Sequence, residues 1–315
     1  MAGYTDAFFR RICSSLGASY SVSEMISSVA LSLGSAKTSD LALIIDGEGP
    51  VVLQLFGHRP DVMRTAAEML LEGPDVPHAP AGIDINMGCP VKKIVSSGDG
   101  SALMEDPALA AGIIRETKKA CEKHGVPLSV KFRLGADDSR ENYVSFGLAA
   151  AEAGADRLTL HCRTRKQMYA PEAKPEKCLA LREELDRHGF QNVVLCGNGD
   201  IDCYDSASRY LEYGCGEVAV GRAALGDPWI FRALSSPSSF VPPDSREIRD
   251  LVIRLVTETS EHYGEKRGVL EARSRAAHFV KGFRGSSRIR QLLNGASTLK
   301  EFTDIIENSD FGPRE

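Results

Sequence analysis

Cys89 stands in Asn86-Met87-Gly88-Cys89-Pro90, after an apolar run and before Lys92, Lys93 and the stretch Ser96-Ser97-Gly98-Asp99-Gly100-Ser101. A polar, glycine-bearing loop of that kind is flexible and has little reason to bury a thiol. A free thiol, with pKa about 8.5, is mostly protonated near neutrality and can donate a proton. The two neighbouring lysines could instead lower that value and make the sulfur a nucleophile. Residue types leave the sign open. The other cysteines, at 13, 121, 162, 178, 196, 203 and 215, form no CxxC pair and no Cys/His cluster at zinc spacing. They read as reduced, small buried hydrophobes, and no metal site is expected.

Three further polar side chains interrupt runs that otherwise ask to be buried. Gln54 lies between Leu53 and Leu55, Lys131 lies in Ser129-Val130-Lys131-Phe132-Arg133, and His161 closes Leu158-Thr159-Leu160-His161. One such group is readily a satisfied core residue. Three at the ends of three apolar runs suggest a shared ligand, because an unpaired polar group in such a place is expensive. Two glycine turns indicate its character: Cys196-Gly197-Asn198-Gly199-Asp200-Ile201 and Val220-Gly221-Arg222-Ala223-Ala224-Leu225-Gly226. Glycine lets backbone N–H groups approach an anion closely, and Arg222 adds charge. A phosphorylated ligand follows.

These residues need a scaffold that brings strand ends together. The predicted strands are Ser19–Val22, Val51–Phe56, Gly82–Asn86, Leu128–Phe132, Arg157–His161, Val193–Gly197 and Glu217–Val220. Helix-patterned segments alternate with them, among them Pro107–Lys123, Tyr143–Ala153, Pro175–His188 and Cys203–Tyr213. That alternation predicts an α/β fold with a parallel sheet covered by helices. Seven units of this size suit a (β/α)8 TIM barrel if one more strand exists, and ligands then bind at the C-terminal strand ends. The missing strand belongs before Met1-Ala2-Gly3-Tyr4-Thr5-Asp6, which reads as a strand end and its loop. Either the start is recorded too late or the first strand is degraded. Thr5 or Asp6 is the expected cap of the helix that follows.

The expected barrel domain spans 1–234, a Ser/Pro-rich linker 235–244, and a small all-helical domain 245–315. The last carries helical periodicity over Arg246–Tyr263, Val269–Phe283, Ser286–Leu293 and Leu299–Asn308. With 315 residues, 43% of them hydrophobic, the chain can bury a full core. No apolar run reaches the roughly 18 residues of a membrane helix, and no signal-peptide pattern opens the chain, so a cytoplasmic location is expected. The net charge of −5 is unevenly placed. Residues 264–300 hold nine Lys/Arg against two acids, a balance of +7, while 301–315 carry −4 and 1–263 carry −8. A basic segment on an acidic body is either a footprint for phosphate backbone or a solvated helix face.

The blocks Met1-Ala2-Gly3-Tyr4-Thr5-Asp6, Gln54-Leu55-Phe56-Gly57, Asn86-Met87-Gly88-Cys89-Pro90, Lys131-Phe132-Arg133-Leu134-Gly135, His161-Cys162-Arg163-Thr164-Arg165, Gly197-Asn198-Gly199-Asp200-Ile201 and Gly221-Arg222 together resemble the tRNA-dihydrouridine synthases. The likeness runs from residue 1 to about 234, and more loosely around Arg275 to Asn294. It implies an FMN cofactor held by Met1, Gln54, Lys131 and His161, with its phosphate at Asn198, Gly199, Gly221 and Arg222. It implies NADPH as reductant and reduction of the C5–C6 double bond of a uridine in tRNA. Cys89 is then the proton donor to C5, Asn86 contacts the flipped-out uridine, and Arg284, Arg288 and Arg290 meet tRNA phosphate. Cys162 stands where that family commonly has glycine and is expected to pack. Ala170-Pro171-Glu172-Ala173-Lys174-Pro175 also departs from the usual glycine-bearing loop. Two other readings remain: an FMN barrel oxidoreductase acting on a small enone or pyrimidine, and a non-catalytic tRNA-binding protein. The oligomeric state is open, with a monomer as the default.

Overall fold

The computed structural model describes residues 1–72, 78–309 and 311. Seven strands form one parallel sheet in sequential order: β1 (Ser21–Ser27), β2 (Val51–Phe56), β3 (Gly82–Met87), β4 (Leu128–Arg133), β5 (Arg157–His161), β6 (Val194–Asn198) and β7 (Glu217–Ala219). Helices Pro60–Glu72, Pro107–Lys123, Tyr143–Glu152, Lys177–Arg187 and Tyr204–Glu212 follow β2 to β6 in turn. Six predicted strands agree closely. The exception is Ser19–Val22, which is corrected to Ser21–Ser27. Its register with β2 shifts between Val22 and Met25, so the strand continues past a bulge at Ser23-Glu24 that breaks the apolar alternation.

Alternation along the strands sorts the two faces. Leu53, Leu55, Ile83, Ile85, Val130, Phe132, Leu158 and Leu160 are fully buried against the helices and belong to one apolar core. The opposite face is polar. Gln54 pairs in register with Asp84, Asn86 with Lys131, Arg133 with His161, and His161 with Asn198. The barrel interior is thus built of hydrogen-bonding groups, and the helices supply the hydrophobic burial.

The sheet curls so that side chains at its two edges touch across an open seam. Tyr20, just before β1, donates its hydroxyl to Glu217 of β7 at 2.9 Å, and Arg157 donates to the same carboxylate at 3.0 Å. The Arg157 guanidinium also sits 4.7 Å above the Tyr20 ring. Among the described residues there is no eighth strand. Residues 1–5 form a turn, with Tyr4 and Thr5 N–H groups donating to the Met1 carbonyl at 3.1 and 3.2 Å. Gly3 N–H donates to Glu24 of β1, and Met1 Sδ lies 3.8 Å from an ideal Cβ at Gly221, just past β7. The opening turn therefore bridges the seam at the C-terminal strand ends.

Asp6 caps the helix Ala7–Ser15 by accepting from Phe9 N–H at 2.9 Å. Four helices lie toward the C-terminus: Ser245–Tyr263, Glu265–Phe279, Ser286–Gly295 and Leu299–Glu307. The second starts at Glu265 rather than at Val269, since Gly264, with φ of +81°, ends the preceding helix just before it. Val252, Leu255, Val269, Ala276, Phe279 and Phe302 share a core with Phe8, Phe9 and Ile12 of the N-terminal helix. A buried ion pair, Arg275 to Asp6 at 2.6 Å, crosses the same interface. The C-terminal helices are packed onto the start of the barrel, beside its open seam.

Candidate active site

The C-terminal ends of β2 to β6 place Gln54, Asn86, Lys131, His161 and Asn198 around one mouth. Asn86 donates Nδ2 to Gln54 Oε1 at 2.9 Å, and Gln54 donates Nε2 to Asp84 at 2.7 Å. Asp84 also accepts from the Ser129 hydroxyl. On the far side Lys131 Nζ donates to Asn198 Oδ1 at 3.0 Å, and Asn198 Nδ2 donates to the Ala219 carbonyl at 2.7 Å. Burial, reinforced by the Arg133 charge, brings Lys131 down to about 8. Burial pushes Asp84 up to about 6 despite the bonds from Ser129 and Gln54. The His161 imidazole is held neutral, far below the usual histidine value, by burial and by Lys131, Arg133, Arg163 and Arg222. Four cations converging on one neutral imidazole suit an anionic ligand.

The loop after β6 shapes the floor of this mouth. Gly199 has φ of +133°, and a side chain there would meet Ala173 Cβ at 2.6 Å and the Tyr210 hydroxyl at 2.9 Å. Only glycine fits such a backbone. The next residue, Asp200, joins two cations: Arg163 donates to one carboxylate oxygen and Arg222 to the other, the latter at 2.8 Å. Asp200 also accepts from Ala173 N–H at 3.0 Å, which holds the loop after β5. Arg222 lies 4.9 Å from the Tyr169 ring.

Cys89 sits across the mouth from these groups, on the turn after β3. The expectation of a flexible, polar loop is corrected: the residue is buried, at 9% exposure. Its N–H donates to Asn86 Oδ1 at 2.9 Å, and its carbonyl accepts from Ser101 N and Oγ at 3.1 and 2.9 Å. Arg133 Nε donates to the Gly88 carbonyl at 2.8 Å. Gly100 closes the turn, since a Cβ there would lie 3.0 Å from Cys89 Cβ. Lys92 and Lys93 are exposed. Asn86, read from the sequence as a ligand contact, has its carbonyl engaged by Gly88 and Cys89 N–H groups and retains one N–H.

The basic segment divides in two. Arg275 is buried on Asp6, Arg267 pairs with Asp40 at 2.9 Å, Lys300 pairs with Asp304 at 2.6 Å, and Arg273 bonds the Ala296 carbonyl. Lys281, Arg284, Arg288 and Arg290 make no ion pair with a described carboxylate. Lys281, Arg284 and Arg288 are exposed and Arg290 is half-buried. Burial, with the charges of Lys281 and Arg290, lowers the His278 imidazole. His278 in turn packs edge-on against Tyr4 at 5.2 Å. This cationic end of the helix therefore adjoins the opening turn at the barrel mouth.

Asp84, Arg133, Arg163 and Asp200 were not singled out by sequence reasoning. For Asp84 a signal existed: it stands two residues before Asn86 on the same strand, hence on the same face.

Fold and site together define an α/β-barrel protein whose C-terminal mouth holds a buried thiol opposite a cationic pocket lined by amides and an imidazole. The chain belongs to the dihydrouridine synthase family, whose profile, described as "Dihydrouridine synthase (Dus)", matches residues 1–311. A probable tRNA-dihydrouridine synthase of Mycobacterium tuberculosis (strain H37Rv) is 32% identical over 323 residues, covering 98% of this chain and 80% of that relative. tRNA-dihydrouridine synthase B of Pseudomonas aeruginosa is 34% identical over 305 residues, covering 93% and 86%. That of Pasteurella multocida is 32% identical over 314 residues, covering 98% and 90%.

Proposed function

We propose that this protein is a flavin-dependent tRNA-dihydrouridine synthase that reduces the C5–C6 bond of uridines in tRNA, with Cys89 as the acid. The observation that carries this reading is the placement of the Cys89 turn and the Lys131/His161/Asn198 pocket around one barrel mouth, in a chain of the dihydrouridine synthase family.

The residues fit FMN. Lys131, Gln54 and neutral His161 would hold the flavin ring and ribityl chain. The cations Arg163 and Arg222 flank Gly199 and Gly221, where a phosphate would lie, and Met1 borders Gly221. FMN, if bound there and reduced by NADPH, would supply hydride to C6 of the uracil ring. Negative charge then develops over C5 and O4. A thiol poised beside the ring lowers that barrier by giving its proton to C5, and the remaining N–H of Asn86 steadies the base. Asn86 and Ser101 hold the thiol's backbone, so the acid is presented from a fixed turn rather than a loose one.

A base inside folded tRNA must leave its stack, at a cost of a few kcal/mol. Arg284, Arg288 and Arg290, with Lys281, offset that cost by gripping phosphates beside the mouth. The helices over 245–315 act in this reading as the tRNA-binding unit, joined to the 1–234 barrel through 235–244. Such a role belongs in the cytoplasm, and no helix among the described residues is long and apolar enough to cross a membrane.

The test is reduction of unmodified tRNA by the purified protein with FMN and NADPH. Cys89→Ala is expected to bind yellow FMN and lose tRNA reduction. Full activity in that variant contradicts the role of Cys89. Reduction of a small enone or free pyrimidine but not of tRNA contradicts the substrate.

A further inference from the structure

The hydrogen bonds beneath Cys89 run in one direction only. Gly88 and Cys89 N–H groups donate to Asn86 Oδ1 at 3.2 and 2.9 Å, Asn86 donates to Gln54 at 2.9 Å, and Gln54 donates to Asp84 at 2.7 Å. Both ends are groups that cannot reverse roles. A backbone N–H only donates, and an ionised carboxylate only accepts. The two amides between them, each free in principle to turn over, are thereby fixed. Asp84, Gln54 and Asn86 are all buried, at 3, 6 and 8% exposure, so water does not substitute for a lost partner.

We infer that Asp84 is a positioning residue for the reaction: its carboxylate terminates the chain Cys89–Asn86–Gln54–Asp84 and so holds the Cys89 turn and the orientation of both amides. The inference rests on the reading of Cys89 as the acid, and nothing in the chemistry requires Asp84 to touch a ligand. Ser129 occupies the second carboxylate oxygen and keeps the group in place. A carboxylate is an unusual choice at the centre of a barrel, because burial penalises its charge. Burial raises it to about 6, while the hydrogen bonds from Ser129 and Gln54 favour the ionised, accepting form. An acceptor-only group is what the chain needs at that point. Without it, Gln54 keeps a buried N–H lacking an acceptor and is driven to turn away from Asn86.

The experiment compares wild type, Asp84→Leu and Asp84→Asn, each as purified. It reads amide hydrogen exchange in the peptide spanning residues 86–91 together with steady-state tRNA reduction. Asp84→Leu is expected to speed exchange at Gly88 and Cys89 about tenfold, the equivalent of one net hydrogen bond. It should lower kcat by about 10- to 100-fold, the scale of a small misplacement of a reacting group, with KM for tRNA nearly unchanged. Asparagine keeps the acceptor in one of its two amide orientations, so Asp84→Asn should fall between the two on both readouts. Should Asp84→Leu fail to fold, Gln54→Met breaks the chain one link later and is expected to speed exchange at the same two amides. Wild-type exchange and kcat in Asp84→Leu overturn the inference. So does faster exchange spread over the whole barrel with no rescue by asparagine, which marks a merely structural role. Absence of tRNA reduction in the wild type instead overturns the proposed function, and the exchange data still decide the role of Asp84.

Discussion

The cations at the barrel mouth and those near residues 281–290 are held in opposite ways. Lys131, Arg133, Arg163 and Arg222 each have a defined partner, respectively Asn198, the Gly88 carbonyl, Asp200 and again Asp200. Arg284, just before the helix Ser286–Gly295, and Arg288 and Arg290 within it have no described carboxylate to pair with. A paired cation is pre-organised and suits an interaction that must have one geometry. A cation without a fixed partner suits a diffuse polyanion, where contact count and salt matter more than angle. In the proposed function the first set serves cofactor and chemistry, and the second serves grip on tRNA.

Substitutions should separate the two regions. The largest effect is expected at the mouth. Cys89→Ala should reduce tRNA turnover by about 10²- to 10⁴-fold, the usual contribution of a positioned acid, while FMN absorbance stays. Equal loss of flavin and turnover would mean the turn serves binding instead. Next is the exposed set. Replacing Arg284, Arg288 and Arg290 together by alanine should weaken tRNA binding and flatten its salt dependence by roughly 0.7 to 0.9 in log–log slope per arginine. Single-turnover reduction of bound tRNA should hardly change. A salt slope identical to wild type would place the tRNA elsewhere.

A smaller effect concerns stability and its pH dependence. The Asp84 pKa is raised in the fold, so its contribution is fully favourable below the unfolded value of 3.8 and is lost as pH rises through about 6. Asp84→Asn should therefore be more stable than wild type at pH 8, by on the order of 2–3 kcal/mol, with the gain vanishing near pH 3 to 4. A gain that persists in acid would point to packing rather than charge. The smallest effect is at the seam. Tyr20→Phe removes the hydroxyl bond to Glu217 and should cost about 1 kcal/mol in denaturant unfolding with little change in turnover.

Much of this was legible from sequence where the signal is local. Leu53, Leu55, Val130, Phe132, Leu158 and Leu160 all face the helices, so their strands appear as apolar runs, and Gln54, Lys131 and His161 stand out by interrupting them. β1 was shortened because Ser23 and Glu24 form a bulge and the polar Ser23 hydroxyl accepts from Gln54 N–H across the sheet. The burial of Cys89 is not legible in the sequence because the groups that enclose it are remote: Ser101 lies twelve residues on and Arg133 lies on the next strand. Asp200 gave no sign of joining Arg163 to Arg222, since that depends on three loops meeting. The C-terminal helices were found by periodicity, but their shared core with Phe8, Phe9 and Ile12 spans the whole chain. Local pattern specifies elements; contacts between distant loops specify the site.

The central claim, that this chain makes dihydrouridine in tRNA through Cys89, is tested most directly in cells that lack the gene. Dihydrouridine is mapped along their tRNA after complementation with wild type or with Cys89→Ala. The account predicts positions that lose the modification, regain it with wild type and stay unmodified with the variant. An unchanged map in the deletion strain, or full restoration by Cys89→Ala, would contradict it.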